Sequence, residues 1–172
     1  ERGALTDEAL QVILELWMKE DPSFQGDHYA FSQVKFAPKP VQQPHIPIWV
    51  GGNSRAALRR TAEFGDAWHP NTTNLDEIRS GIETLKEQWR RFNREGEPPV
   101  KLRIGCRLYA QAQESSRQLG RGNAEQVIED IQRVEALEID YMVLDFAVGV
   151  TQEQWDFSFE TFAGEVMPLV DD

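Results

Sequence analysis

A single cysteine, three histidines and a shortage of positive charge set the first limits on this chain. One cysteine, Cys106, excludes an internal disulfide framework; it lies in a strand-like stretch and reads as a small buried hydrophobe rather than a nucleophile. His28, His45 and His69 are scattered without metal-ligand spacing, so no metal site is expected. No apolar run approaches the roughly 20 residues that span a bilayer. Lys and Arg number 18 against 29 Asp and Glu, a formal net charge of −11. Such a surface repels DNA, RNA and anionic membranes and suits a cytoplasmic protein. The chain opens Glu1-Arg2-Gly3, without an initiator Met and without the basic-then-apolar pattern of a signal peptide. The expectation is a processed or excised piece of a longer chain.

What is present is an ordinary globular composition: 172 residues, 40% apolar and 27% charged, enough for one domain with a sizeable core. A helix is predicted from Asp7 to Lys19, capped by Thr6, with Leu10, Ile13, Leu14 and Trp17 at helical spacing. Asp21-Pro22 stops it. Between Phe24 and Pro47 the aromatic residues alternate with polar ones and prolines accumulate, which predicts an extended excursion with one hairpin and a stiff loop.

Alternating units follow. Strands are predicted at Ile48–Val50, Asp66–His69, Val100–Ala110 and Tyr141–Phe146. Helices are predicted at Ser54–Phe64, Leu75–Arg94, Asn123–Leu137 and Thr151–Val166. The alternation argues for an α/β fold of parallel β/α units with right-handed crossovers. Four such units make half of an eight-stranded barrel; a small open sheet with helices on both faces is the alternative. In the third strand Val100, Leu102, Ile104, Cys106 and Leu108 alternate with Lys101, Arg103, Gly105, Arg107 and Tyr109. One face of it must therefore meet solvent, a cleft or anionic groups, and a semi-exposed edge strand is the simplest reading.

The segment Pro47-Ile48-Trp49-Val50-Gly51-Gly52-Asn53-Ser54-Arg55 carries the chemistry. Paired glycines after a strand permit positive φ and close approach of backbone to a ligand. Asn53 or Ser54 caps the next helix, whose N-terminal amides and dipole suit a phosphate. Read alone, Gly51-Gly52-Asn53-Ser54 is equally a plain strand-to-helix turn. It is neither a P-loop nor a dinucleotide fingerprint.

Its surroundings add more. Gly51-Gly52, the helix with Ala56-Ala57-Leu58-Arg59-Arg60, then Gly65-Asp66-Ala67-Trp68 and Pro70 resemble the luciferase-like monooxygenase family. So do Thr6-Asp7-Glu8 before a helix ending Leu16-Trp17, Phe24-Gln25-Gly26 with the proline-rich run, Gly122 before Ala124-Glu125-Gln126-Val127-Ile128, and Glu165-Val166-Met167-Pro168. Ala67 stands where the family usually has glycine. The resemblance implies the C-terminal half of a (β/α)8 barrel, with residues 1–172 as one domain and 24–46 as an excursion. It implies binding of FMN or the deazaflavin coenzyme F420, with a slight leaning to the F420 type. It places the cofactor phosphate at Gly51, Gly52, Asn53 and Ser54. It implies hydride transfer or monooxygenation of a small organic substrate, with the reacting groups on a missing N-terminal half and little turnover by this chain alone. A non-catalytic half barrel that binds flavin, or closes its sheet as a homodimer, is the alternative.

Other residues receive plainer readings. His69 follows a strand end, where barrel chemistry is found, but reads first as a backbone-capping turn histidine. Trp68 reads as a core residue, and Asp145 and Arg121 as solvated loop charges near the same rim. Lys86, Arg90, Arg91 and Arg94, interleaved with Glu83, Glu87 and Glu95, read as a solvated helix face. No catalytic residue is assigned.

Overall fold

The computed structural model describes residues 2–139, 141–146 and 151–170. Helix α1 runs Arg2–Met18, starting a turn earlier than the spacing predicts. Thr6 therefore lies inside the helix and does not cap it; its hydroxyl donates to the Arg2 carbonyl at 2.8 Å. The excursion contains the expected hairpin, β1 (Phe24–Gln25) with β2 (Ala30–Phe31), antiparallel. Glu8 on α1 fastens that hairpin by accepting the amides of His28 and Tyr29 at 2.8 and 2.7 Å. Lys39 closes the C-terminus of α1, donating to the Leu16 carbonyl at 2.7 Å.

Beyond the excursion the chain alternates as expected: β3 (Trp49–Gly51), α2 (Arg55–Phe64), β4 (Ala67–His69), α3 (Leu75–Arg91), β5 (Lys101–Gly105), β6 (Arg107–Leu108), β7 (Arg121–Gly122), α4 (Ala124–Glu135), β8 (Tyr141–Asp145) and α5 (Gln152–Thr161). β3 pairs with β4 and β5 with β8, both parallel, and a parallel bridge from Trp68 to Val100 joins the two pairs. The predicted third strand is divided. After Lys101–Gly105 the Cys106 amide still bonds to the Asp145 carbonyl at 2.8 Å, but the Arg107 amide turns to the Gly120 carbonyl at 2.9 Å. The strand changes partner at Cys106, and Arg107–Leu108 pair with Arg121–Gly122, a strand too short to show in the periodicity.

The helix boundaries have local causes. Ser54 caps α2, Asn74 caps α3, and Asn123 with Gln126 forms a capping box on α4. α3 stops at Arg91, before the predicted Arg94, because Asn93 takes a left-handed conformation at φ 54°. The predicted last helix gives way after Thr161 to a π-helical turn, Phe162–Val166, and a 3-10 turn that includes Pro168.

The alternation of the third strand resolves the architecture. Val100, Leu102 and Ile104 are buried against Leu58 and Ala62 of α2, Ile78, Leu85 and Trp89 of α3, and Val134 of α4. A second cluster joins Cys106 and Leu108 to Val127 and Val166. Each fully buried Leu or Ile contributes about 1.5–3 kcal/mol. Among the described residues these helices pack on one face of the sheet, the arrangement of a barrel wall rather than a sheet covered on both sides. The other face carries Trp49, 45% exposed, and Tyr141, 53% exposed, with their rings 6.0 Å apart across it. α4 departs from its predicted inner face: Asp130 is fully buried and Ile128 and Ile131 only partly so.

No helix among the described residues is long and apolar enough to cross a membrane.

Candidate functional site

β3 and β4 are in register with Trp49 opposite Ala67, Val50 opposite Trp68 and Gly51 opposite His69. Gly51 and His69 therefore end adjacent parallel strands at the C-terminal edge, where barrel enzymes build their sites. Gly52 follows at φ +105°, a conformation that strains any residue with a Cβ. Its amide donates to the His69 carbonyl at 3.3 Å, and its carbonyl accepts the Trp68 indole Nε1–H at 2.8 Å. The Asn53 side chain is engaged at both ends with the backbone of Asn71: Nδ2 donates at 3.1 Å and Oδ1 accepts at 2.8 Å. The Ser54 oxygen accepts the Ala57 amide at 3.1 Å, which leaves the hydroxyl proton for another acceptor.

These contacts bring the four sequence-predicted residues Gly51, Gly52, Asn53 and Ser54 into one fixed turn at the start of α2. The amides of Arg55 and Ala56, in the first turn, are the donors a helix N-terminus always presents outward. The turn thus has the donor chemistry of a small anion site, with backbone amides and a hydroxyl at the positive end of a helix dipole. The Asn53 side chain spends one of its two Nδ2 hydrogens and an Oδ1 lone pair on Asn71.

The remaining candidates divide. His69 Nδ1–H donates to the Lys101 carbonyl, the backbone-capping role expected of it, and its ring stands 6.1 Å from that of Trp49. Asp145 and Arg121 meet in one hollow of about 170 Å³ with Thr73, Arg103 and Gly105, and Asp145 is ion-paired with Arg103. From the sequence both read as solvated loop charges; the pairings of β5 with β8 and of β6 with β7 bring them together. Trp68 is fully buried, as expected, but it is also a donor to the glycine turn. No local signal carried that role, because helix α2 lies between Trp68 and the paired glycines in sequence. Burial pushes the Cys106 thiol up to about 12, with the nearby Asp130 carboxylate adding to the shift, so the thiol is inert at neutral pH. A groove of about 630 Å³ between α2 and α3 adjoins this turn, lined by Asn53, Arg55 and Trp68 but also by Asp76, Glu77 and Glu87. Its acidic lining is the wrong sign for a phosphate.

Known proteins resemble this chain in sequence and in fold. A sequence model described as luciferase-like monooxygenase matches residues 1–129. An FMNH(2)-dependent dimethylsulfone monooxygenase of Pseudomonas putida is 30% identical over 86 residues, half of this chain and 24% of that protein. The chain thus spans about a quarter of that relative's length. Among solved structures, an F420-dependent secondary alcohol dehydrogenase in complex with an F420-acetone adduct superposes with a TM-score of 0.80 at 16% identity, covering 99% of this chain and 62% of that one. The monooxygenase RslO1 from Streptomyces bottropensis gives a TM-score of 0.74 at 17% identity, covering 95% of this chain and 60% of that one.

Proposed function

Because this chain belongs to the luciferase-like monooxygenase family, we propose that it forms, as one domain, the C-terminal half of a (β/α)8 oxidoreductase that binds FMN or coenzyme F420. The observation that carries this reading is the turn Gly51–Ser54. Its backbone is tied down by Trp68, His69 and Asn71, and the N-terminal amides of α2 open beside it. These groups hold the cofactor phosphate. The backbone of Gly51 and Gly52 allows close approach: a Cβ built on Gly51 meets nothing nearer than the His69 carbonyl at 3.9 Å. The Ser54 hydroxyl supplies one further donor. The bound cofactor supplies hydride transfer in the F420 case, or oxygen activation in the FMN case, toward a small organic substrate. The chain's own part is to anchor and orient it.

The sheet face opposite the helices supports the same reading. Trp49 and Tyr141 are exposed there, a costly arrangement for large aromatic side chains in water. Among the described residues β3 and β8 each pair with a strand on one side only. We infer that the first four β/α units of the barrel cover this face and pair with these edges. The isolated 172 residues then show little or no turnover. Titration of FMN and of F420 into the full-length protein, followed by fluorescence, tests the assignment; binding of neither would sink it. Size-exclusion chromatography of the isolated chain separates the rival in which a second copy closes the sheet, which a clean monomer would rule against.

A further inference from the structure

The paired glycines and the Gly65-Asp66-Ala67-Trp68 phrase lie more than a helix apart in sequence, yet they act on the same strand. Asp66 grips the start of β3: its carboxylate accepts the Ile48 amide at 2.7 Å and its own amide donates to the Ile48 carbonyl at 2.8 Å. Trp68 grips the far end, donating its indole N–H to the Gly52 carbonyl at 2.8 Å. Two glycines make room for this clamp. A Cβ on Gly65 would lie 2.9 Å from Val50 Cγ2, and a Cβ on Gly81 of α3 would lie 2.2 Å from Trp68 Cη2. The Trp68 side chain is fully buried, so its N–H has little access to water as an alternative partner, while Gly52 at the other end of the bond is half-buried.

The direction of the Gly52 carbonyl decides the direction of the next amide, because the two belong to one planar peptide unit. A carbonyl drawn inward to Trp68 points the Asn53 N–H the opposite way, away from the indole. Gly52 at φ +105° has no side chain to resist rotation of that unit. We propose that Trp68 is a positioning residue: its indole N–H fixes the Gly52–Asn53 peptide so that the turn presents its amides to a phosphate. The proposal rests on the assignment of this turn to the cofactor phosphate. It adds that affinity for the phosphate is set from outside the turn, by a buried side chain that never touches the ligand.

The test compares FMN with riboflavin, which lacks the phosphate, by fluorescence titration of the full-length protein. Wild type is expected to prefer FMN. Trp68→Phe keeps an aromatic ring but removes the N–H, and is expected to weaken FMN about 5- to 30-fold while leaving riboflavin unchanged, the equivalent of about 1–2 kcal/mol. Replacement of Trp68 by benzothienylalanine, which keeps the bicyclic volume and lacks the donor, is expected to do the same. It decides the matter if the phenylalanine variant folds poorly. Trp89→Phe is the control. That indole is also buried, donates to the Glu95 carbonyl at 3.1 Å, and lies away from the turn, so its loss is expected to lower stability without changing the FMN to riboflavin ratio. Unchanged FMN preference in both Trp68 variants would overturn the proposal, and so would equal loss of preference in the Trp89 variant. A wild-type protein that binds FMN and riboflavin equally would instead overturn the assignment of the turn, and the proposal with it.

Discussion

Removal of the Asp130 carboxylate is the sharpest test of the packing described above. Asp130 is fully buried, and three groups depend on it. Arg117 reaches it with both terminal guanidinium nitrogens, Nη2 to Oδ1 at 3.1 Å and Nη1 to Oδ2. The Gly120 amide donates to Oδ2 at 2.8 Å. Arg133 adds a longer contact at 3.5 Å. Asp130→Ala leaves a guanidinium with only 12% of its side chain exposed facing an uncompensated site, and an amide without a partner. Breaking such a pair from one side costs about 3–5 kcal/mol. The residual exposure of Arg117 lets some water in and sets the expectation at the lower end, about 3 kcal/mol, read as a shift in the urea midpoint of the full-length protein. The double variant Arg117→Met with Asp130→Leu is expected to recover most of that loss, because apolar replacement of both partners removes the stranded charge. A single-variant loss below about 1 kcal/mol, or strict additivity of the Arg117 and Asp130 effects, would refute the reasoning.

Three further outcomes are expected. Cys106, held in its neutral form up to about 12 against an ordinary 9.0, resists thiol reagents in the native protein and reacts only on unfolding. The unfolded thiol ionises first, so its contribution to stability is complete below pH 9 and is lost as pH rises from 9 toward about 12; Cys106→Ala removes that part of the alkaline slope in urea titrations at stepped pH. For Glu8, desolvation pushes the carboxyl up but the amides of His28, Tyr29 and Asp27, with the His28 charge, outweigh it and hold the value below the ordinary 4.5. Hydrogen exchange at the His28 and Tyr29 amides is therefore protected above 4.5 and loses that protection as pH falls through the lowered value, whereas Glu8→Gln weakens it throughout. Ser54→Ala removes the cap of α2, and a loss of about 1 kcal/mol in urea is expected together with weaker FMN binding; an unchanged midpoint would count against the cap geometry.

Local chemistry was enough to locate most elements and the candidate turn. Ser54, Asn74 and Asn123 each sit where a helix needs an acceptor for its orphan amides, and each caps one. The alternation of Val100, Leu102 and Ile104 with Lys101 and Arg103 declared a strand buried on one face only. Gly51-Gly52 after an apolar strand marked the turn because only such residues tolerate the backbone found at Gly52. These are short-range preferences, written within a few residues of where they act.

Other features depend on partners far along the chain, and no local pattern carries them. The third strand broke at Cys106 because Gly120 competes there with Asp145 for its amides. α4 buried Asp130 rather than Ile131 because Arg117 and Gly120 arrive to satisfy it. Arg121 and Asp145, distant in sequence, share a hollow only through the pairings of β6 with β7 and of β5 with β8. The sequence by itself determined a β/α alternation, its capped helices and a glycine turn suited to an anion. Only the tertiary structure decided that Trp68, Asn71 and His69 hold that turn in place, since a hydrogen bond between strands becomes available only once packing has set them side by side.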